Sequence, residues 1–101
     1  MQRQTLMDGS GWFDVDKAKH FEEDTYWDGS NMCSEATKDQ WTHEGLYLTA
    51  SGAWVLMHSS QWEGSQDRYE LISPEEAARW LVTCDHAIPA QLESLVHAAE
   101  V

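Results

Sequence analysis

The chain has 101 residues, 42% of them hydrophobic, and 18 acidic residues against 6 basic ones give a formal net charge of −12. That length bounds a single small domain, and the apolar content excludes a disordered acidic tail. The charge excludes direct binding to nucleic acid or anionic lipid as a reading and favours a cationic partner.

The opening stretch MQRQTLMDGSGW has no apolar run, so neither a signal peptide nor a membrane span is expected and a cytoplasmic setting follows. Residues 1–44 read as an acidic, irregular N-terminal half, with GWFDVD (11–16) as an added edge strand. Within it YWDGSN (26–31) groups the turn formers Asp28, Gly29, Ser30 and Asn31 behind Trp27. The same order of aromatic, acid, glycine and serine returns in QWEGSQ (61–66), at Trp62 and Glu63. The next Trp follows 14 residues after Trp27 but 18 after Trp62, so the chain is not a duplicated module. The expected reading is a turn whose entry a Trp anchors; the alternative is two exposed Trp-bearing loops forming one contact surface.

Residues 45–73 read as a β-meander. GLYLTASGAWVLMHSSQW (45–62) carries no charge and centres on Ser51-Gly52, the predicted two-residue hairpin turn. That turn pairs Leu48 with Val55 and Leu46 with Met57. It places Leu46, Leu48, Ala50, Ala53, Val55 and Met57 on one apolar face, with Leu48 and Val55 as buried neighbours. QWTHE (40–44) extends the first strand and DRYELIS (67–73) supplies a third.

Residues 74–100 read as a helical pair. Ser73, Pro74 and Glu76 fill the cap, first-turn and capping-box positions, and Ala77, Trp80, Leu81 and Cys84 share one face. DHAIP breaks that helix, and Leu92, Leu95, Val96 and Ala99 mark a second over 89–99. The fold class is α+β: an antiparallel β-meander of three to four strands with two C-terminal helices packed on one face.

No motif carries catalysis. The five histidines show no ligand spacing, HEGLY lacks the second His of a zinc-binding helix, and no G-x-S-x-G elbow or phosphate loop is present. Cys33 and Cys84 are too few for a disulfide scaffold and are expected as reduced thiols, Cys84 packing on its helix face. No enzyme, metal or cofactor is expected. The acids are more organised, ten of the 18 lying within residues 8–44. In an extended strand Asp14 and Asp16 would stand roughly 6.6 Å apart on one face, near the spacing of successive phosphates.

The run from Ser34 to Leu81 resembles a group of short accessory proteins carried by bacterial phages and plasmids. The likeness rests on W-x-x-E-x-L-Y-x-T-x-x-G-x-W-V-L, S-Q-W-x-G-S and A-A-x-W-L, over about half the chain. It implies a mobile-element setting, where small acidic proteins resemble anti-CRISPR and anti-restriction inhibitors, and it supplies no functional residues. The resulting expectation is a non-enzymatic inhibitor acting in the cytoplasm of a bacterial host. It would occupy the cationic nucleic-acid-binding surface of a CRISPR surveillance or nuclease complex. Asp14, Asp16, Glu22, Glu23, Asp24, Trp27, Asp28, Trp62 and Glu63 are the expected contacts. An antitoxin-like module neutralising one basic partner is the alternative.

Overall fold

The computed structural model describes residues 2–61 and 66–101. Trp62 and Glu63, with Gly64 and Ser65 of the QWEGSQ stretch, lie outside the described residues.

Short strands alternate with tight turns through the first half: β1 (Arg3–Thr5), β2 (Trp12–Asp14), β3 (Lys19–Glu22), β4 (Thr25–Trp27) and β5 (Met32–Ser34). The longer β6 (Thr42–Leu48), β7 (Trp54–Ser60) and β8 (Arg68–Ile72) follow, then α1 (Pro74–Thr83) and α2 (Glu93–Ala99). A four-stranded antiparallel sheet runs in the order β3-β6-β7-β8, while β1-β2 and β4-β5 form separate two-stranded ribbons. The fold is α+β with antiparallel sheets and two C-terminal helices, as the patterning predicts. The stretch before residue 44, expected to be irregular, supplies both ribbons and the edge strand β3. GWFDVD contributes β2, which pairs with β1 and not with the main sheet.

The hairpin register differs from the expected one by one residue. Leu48 faces Trp54, Tyr47 faces Val55 and Leu46 faces Leu56. The loop has three residues, not two: Thr49 N–H donates to the Ala53 carbonyl at 2.9 Å and Gly52 N–H to the Thr49 carbonyl at 3.0 Å. Gly52 takes φ +91°, the left-handed conformation that closes a bulged three-residue loop. The slip turns every β7 side chain to the other face. Leu48 and Val55 are therefore not neighbours: Val55 is buried on one face, and Leu48 is half-buried on the other.

The slip is tolerated because both sheet faces are covered. On the helix side Phe21, Leu46, Trp54 and Ile72 pack against Ala77, Trp80, Leu81 and Leu92. On the opposite side Tyr47, Val55 and Tyr69 pack under Leu6 and Phe13 of the N-terminal ribbon. The Phe13 ring lies 5.5 Å from Tyr47 and 5.6 Å from Tyr69, centroid to centroid. With apolar cover on both sides, alternation alone does not choose a register.

α1 begins and ends on identifiable devices. Ser73 Oγ accepts from Glu76 N–H at 3.2 Å, completing the predicted cap, and Pro74 fills the first turn. At the other end His86 N–H donates to the Leu81 carbonyl at 2.9 Å and Asp85 N–H to the Val82 carbonyl at 3.1 Å, with Asp85 at φ +57°. This is a Schellman ending with aspartate where glycine is usual. The helix thus stops before Pro89 acts. The second predicted helix is a 3-10 turn, Ala90–Leu92, running into α2; Leu92 is buried and Ala99 exposed.

Candidate functional site

The predicted contact residues fall into two groups. Asp14 and Asp16 do not form a row on a strand, because the chain leaves β2 at Asp14 and turns through a 3-10 segment, Val15–Lys17. Asp14 Oδ1 accepts from Asp16 N–H at 3.0 Å and Gln2 N–H at 3.2 Å, so this carboxylate caps its own turn. Short polar side chains favour such local bonds over regular strand. The phosphate-like spacing is absent here.

The other group gathers around β3's exit and the β4-β5 hairpin. YWDGSN is the tip of that hairpin: Asp28 N–H donates to the Asn31 carbonyl at 3.1 Å. Asp28 Oδ1 accepts from Ser30 N–H at 2.8 Å and Asn31 N–H at 2.7 Å. The Asn31 and then the Ser30 amides hold the Asp28 carboxyl below the usual aspartate range. Beside it, burial and then the Asp28 carboxylate push the Cys33 thiol up. Both cysteines are free and buried.

Trp27 does not anchor the turn. It is 63% exposed, and its cross-strand partner Met32 is 54% exposed. Two large apolar side chains therefore share one open face of a two-stranded ribbon. Glu22 and Asp24 are exposed at the ribbon's base, where with Asp85 and His86 they line a shallow acidic depression. Glu23 points inward, accepting from Glu44 N–H at 3.3 Å and pairing with His43 Nδ1. Met32 and Asp85 escaped the sequence reading. Reading T-Y-W and M-C-S as strands either side of D-G-S-N would have paired Trp27 with Met32; the left-handed Asp85 left no sequence signal.

A second feature lies on the helix side of the sheet. α1 and α2 cover only the half of that face carrying Leu46, Trp54 and Ile72. At the same alternating positions further along, Thr42, Glu44, His58, Ser60 and Arg68 floor an open polar cleft of about 670 Å³. Glu44, His58 and Arg68 are direct neighbours across three strands. Glu44 Oε1 accepts from Trp80 Nε1 at 3.2 Å, and Glu44 Oε2 lies 3.5 Å from His58 Nδ1. His58 Nε2 lies 3.1 Å from Glu70 Oε1. Among the described residues no group of three or more His, Cys, Asp or Glu side chains is arranged to hold a metal ion.

Comparison with protein-family models, with curated proteins and with solved structures finds no match to this chain. Among the described residues no helix is long and apolar enough to cross a membrane.

Proposed function

We propose that the protein is a non-enzymatic inhibitor that docks on a cationic, nucleic-acid-binding surface of a bacterial host effector complex, in the manner of an anti-CRISPR or other anti-defence protein. The single observation carrying this reading is the Trp27–Met32 pair, exposed together on a ribbon with Glu22, Asp24 and Asp28 close by. Aromatic and Met side chains are the usual apolar anchors of interfaces, and the net charge of −12 supplies long-range steering toward a basic partner. The mimicry is one of field, not of spacing: Asp14 and Asp16 form no phosphate-like row, and Glu23 is engaged internally.

The test is affinity capture from host lysate with the wild-type chain and with Trp27→Ala. A nucleic-acid-guided or nucleic-acid-binding complex is expected, released by added DNA or RNA and by salt, and lost with Trp27→Ala. Recovery of one small basic protein that nucleic acid does not displace supports the antitoxin-like module instead. Capture indifferent to Trp27 overturns the hairpin as the contact.

A further inference from the structure

Three of the chain's six basic residues stand over aromatic rings of the same chain. The Arg3 guanidinium carbon lies 4.8 Å from the Trp12 ring centroid, Lys19 Nζ 5.1 Å from that of Phe21 and Lys38 Nζ 5.3 Å from that of Tyr26. These are cation–π distances, set by the negative potential over a ring face. The β4-β5 ribbon divides on this point. Tyr26 and Cys33 share one face, and Lys38, paired with Glu35, covers the Tyr26 ring. Trp27 and Met32 share the other, where among the described residues no cation, second ring or hydrogen-bond partner meets the exposed indole.

The ribbon carries that indole on a closed frame. Asp28 N–H donates to the Asn31 carbonyl, so Trp27 and Met32 form the adjoining non-hydrogen-bonded pair, in which cross-strand side chains stand closest. The Asp28 carboxylate ties the turn through the Ser30 and Asn31 amides. Glu35 N–H donates to the Asp24 carbonyl at 2.8 Å and closes the base. A tryptophan on such a frame, with only two rotatable side-chain bonds, loses little freedom on meeting a partner. Asp24 at the base and Asp28 at the tip bring negative charge to both ends of the ribbon.

We propose, resting on the reading of this hairpin as the contact with a cationic partner, that the Trp27 ring face takes an arginine guanidinium of that partner. Arg3 already supplies the same group to Trp12 within the chain. Tryptophan is the strongest of the aromatic rings for a cation. Guanidinium suits it better than ammonium, because it is planar, weakly hydrated and able to stack on the indole. Its five N–H donors lie in its own plane, so a stacked guanidinium keeps them for carboxylates at the rim. A second copy of the chain is disfavoured as the occupant, since two molecules each carrying −12 repel. Trp12 is exposed as well, but its ring already carries a cation.

The probes are octa-arginine and octa-lysine, equal in charge, titrated into the isotope-labelled full chain and followed by NMR. Octa-arginine should bind the more tightly and should shift the Trp27 indole N–H signal saturably. Trp27→Leu keeps an apolar side chain but removes the π face. It should weaken octa-arginine about two- to fivefold, the weight of one exposed cation–π contact, and octa-lysine less. Trp27→Phe should lie between Trp27→Leu and the wild type, and Trp12→Leu should change nothing. Should Trp27→Leu disturb the ribbon amides, Trp27→Phe and the wild-type indole signal decide. An unmoved Trp27 signal, unaltered octa-arginine affinity, equal losses for the two peptides, or an equal loss from Trp12→Leu overturns the guanidinium site. The hairpin reading fails separately. Capture from lysate that survives Trp27→Leu but not Trp27→Ala keeps the hairpin as the contact and overturns the guanidinium. Capture blind to Trp27→Ala, with the peptide contrast intact, overturns the hairpin as the contact and leaves the ring's preference standing.

Discussion

The register of the β6-β7 hairpin decides which side chains share a core, and it can be tested by coupling energies. Leu46 is fully buried and stands opposite Leu56 on the helix side, whereas Met57 lies on the other face with Tyr47 and Val55. Leu46→Ala should cost about 2–5 kcal/mol, the usual range for a buried leucine with partial collapse of the cavity. A domain of this length holds on the order of 5–15 kcal/mol in total, so the loss is large but measurable. Leu48→Ala should cost less, about 1–2 kcal/mol, because a half-buried side chain gives up less apolar area.

The decisive quantity is the interaction term. Side chains in contact couple by about 0.5–3 kcal/mol, and those without shared partners add to within about 0.5 kcal/mol. Leu46→Ala with Leu56→Ala should therefore be non-additive, and Leu46→Ala with Met57→Ala additive. Urea unfolding followed by tryptophan fluorescence and by far-UV circular dichroism supplies the four free energies of each cycle. An excluded osmolyte added to every member keeps the double variants folded at the start of the titration. Coupling between Leu46 and Met57 larger than that between Leu46 and Leu56 would refute the three-residue loop and restore the two-residue turn.

Four further outcomes are expected. Asp28 has a folded pKa below its ordinary value of 3.8, so its stabilisation of the hairpin is complete above that value and is lost as pH falls through the lower folded one; amide signals of Ser30 and Asn31 should change only below about pH 3.8, and a change above that pH refutes the cap. Ser73→Ala should cost about 1 kcal/mol, whereas Asp85→Gly should stabilise by up to about 1 kcal/mol by relieving the left-handed aspartate; thermal melts that move the other way refute either assignment. Both thiols are buried, with pKa values raised chiefly by burial, so Ellman's reagent should react slowly with native protein and fast with unfolded protein, and Cys84→Ser should lower the melting temperature while partner capture survives. Glu22→Gln, Asp24→Asn and Asp85→Asn together should slow association with the captured partner and flatten its salt dependence, read by surface plasmon resonance at several salt concentrations; unchanged association means the field there does not steer.

The elements that could be read from sequence are those with a local cause. The Ser73-Pro74-Glu76 start of α1 and its Ala77–Trp80–Leu81–Cys84 face are written within a few residues, and both appear as expected. The strands β6, β7 and β8 were legible too, from the alternation of their side chains and from the absence of Asp, Glu, Lys and Arg over residues 45–62. What escaped depends on residues distant in sequence. The sheet register hinges on which face the N-terminal ribbon covers, and nothing near Ser51-Gly52 records that Phe13 will pack on Tyr47. The exposure of Trp27 is likewise a tertiary fact: the ribbon carrying it pairs only with itself, leaving no sheet face beneath the indole. The cleft arises because seven-residue strands outrun the helices laid across them, a mismatch of lengths that no single motif encodes.

The acid surplus then divides by what each carboxylate does. Asp8, Asp14, Asp24, Asp28 and Asp39 accept backbone N–H groups within a few residues of themselves. Such acceptors are what a chain of many short strands needs at its turns. Glu23, Glu44 and Glu70 serve histidine and tryptophan side chains. Much of the acidity thus has a structural reason that involves no partner. That does not remove its effect on a partner, because a field depends on where charge sits and not on why it is there. Capping carboxylates lie at turns, turns lie at the surface, and so the same residues that shape the backbone also project negative potential outward. A cationic groove approaching this protein meets the sum of both populations, and it needs no phosphate-like row to be attracted. Specificity has to come from elsewhere, from a feature that charge alone does not supply: an exposed indole beside a methionine.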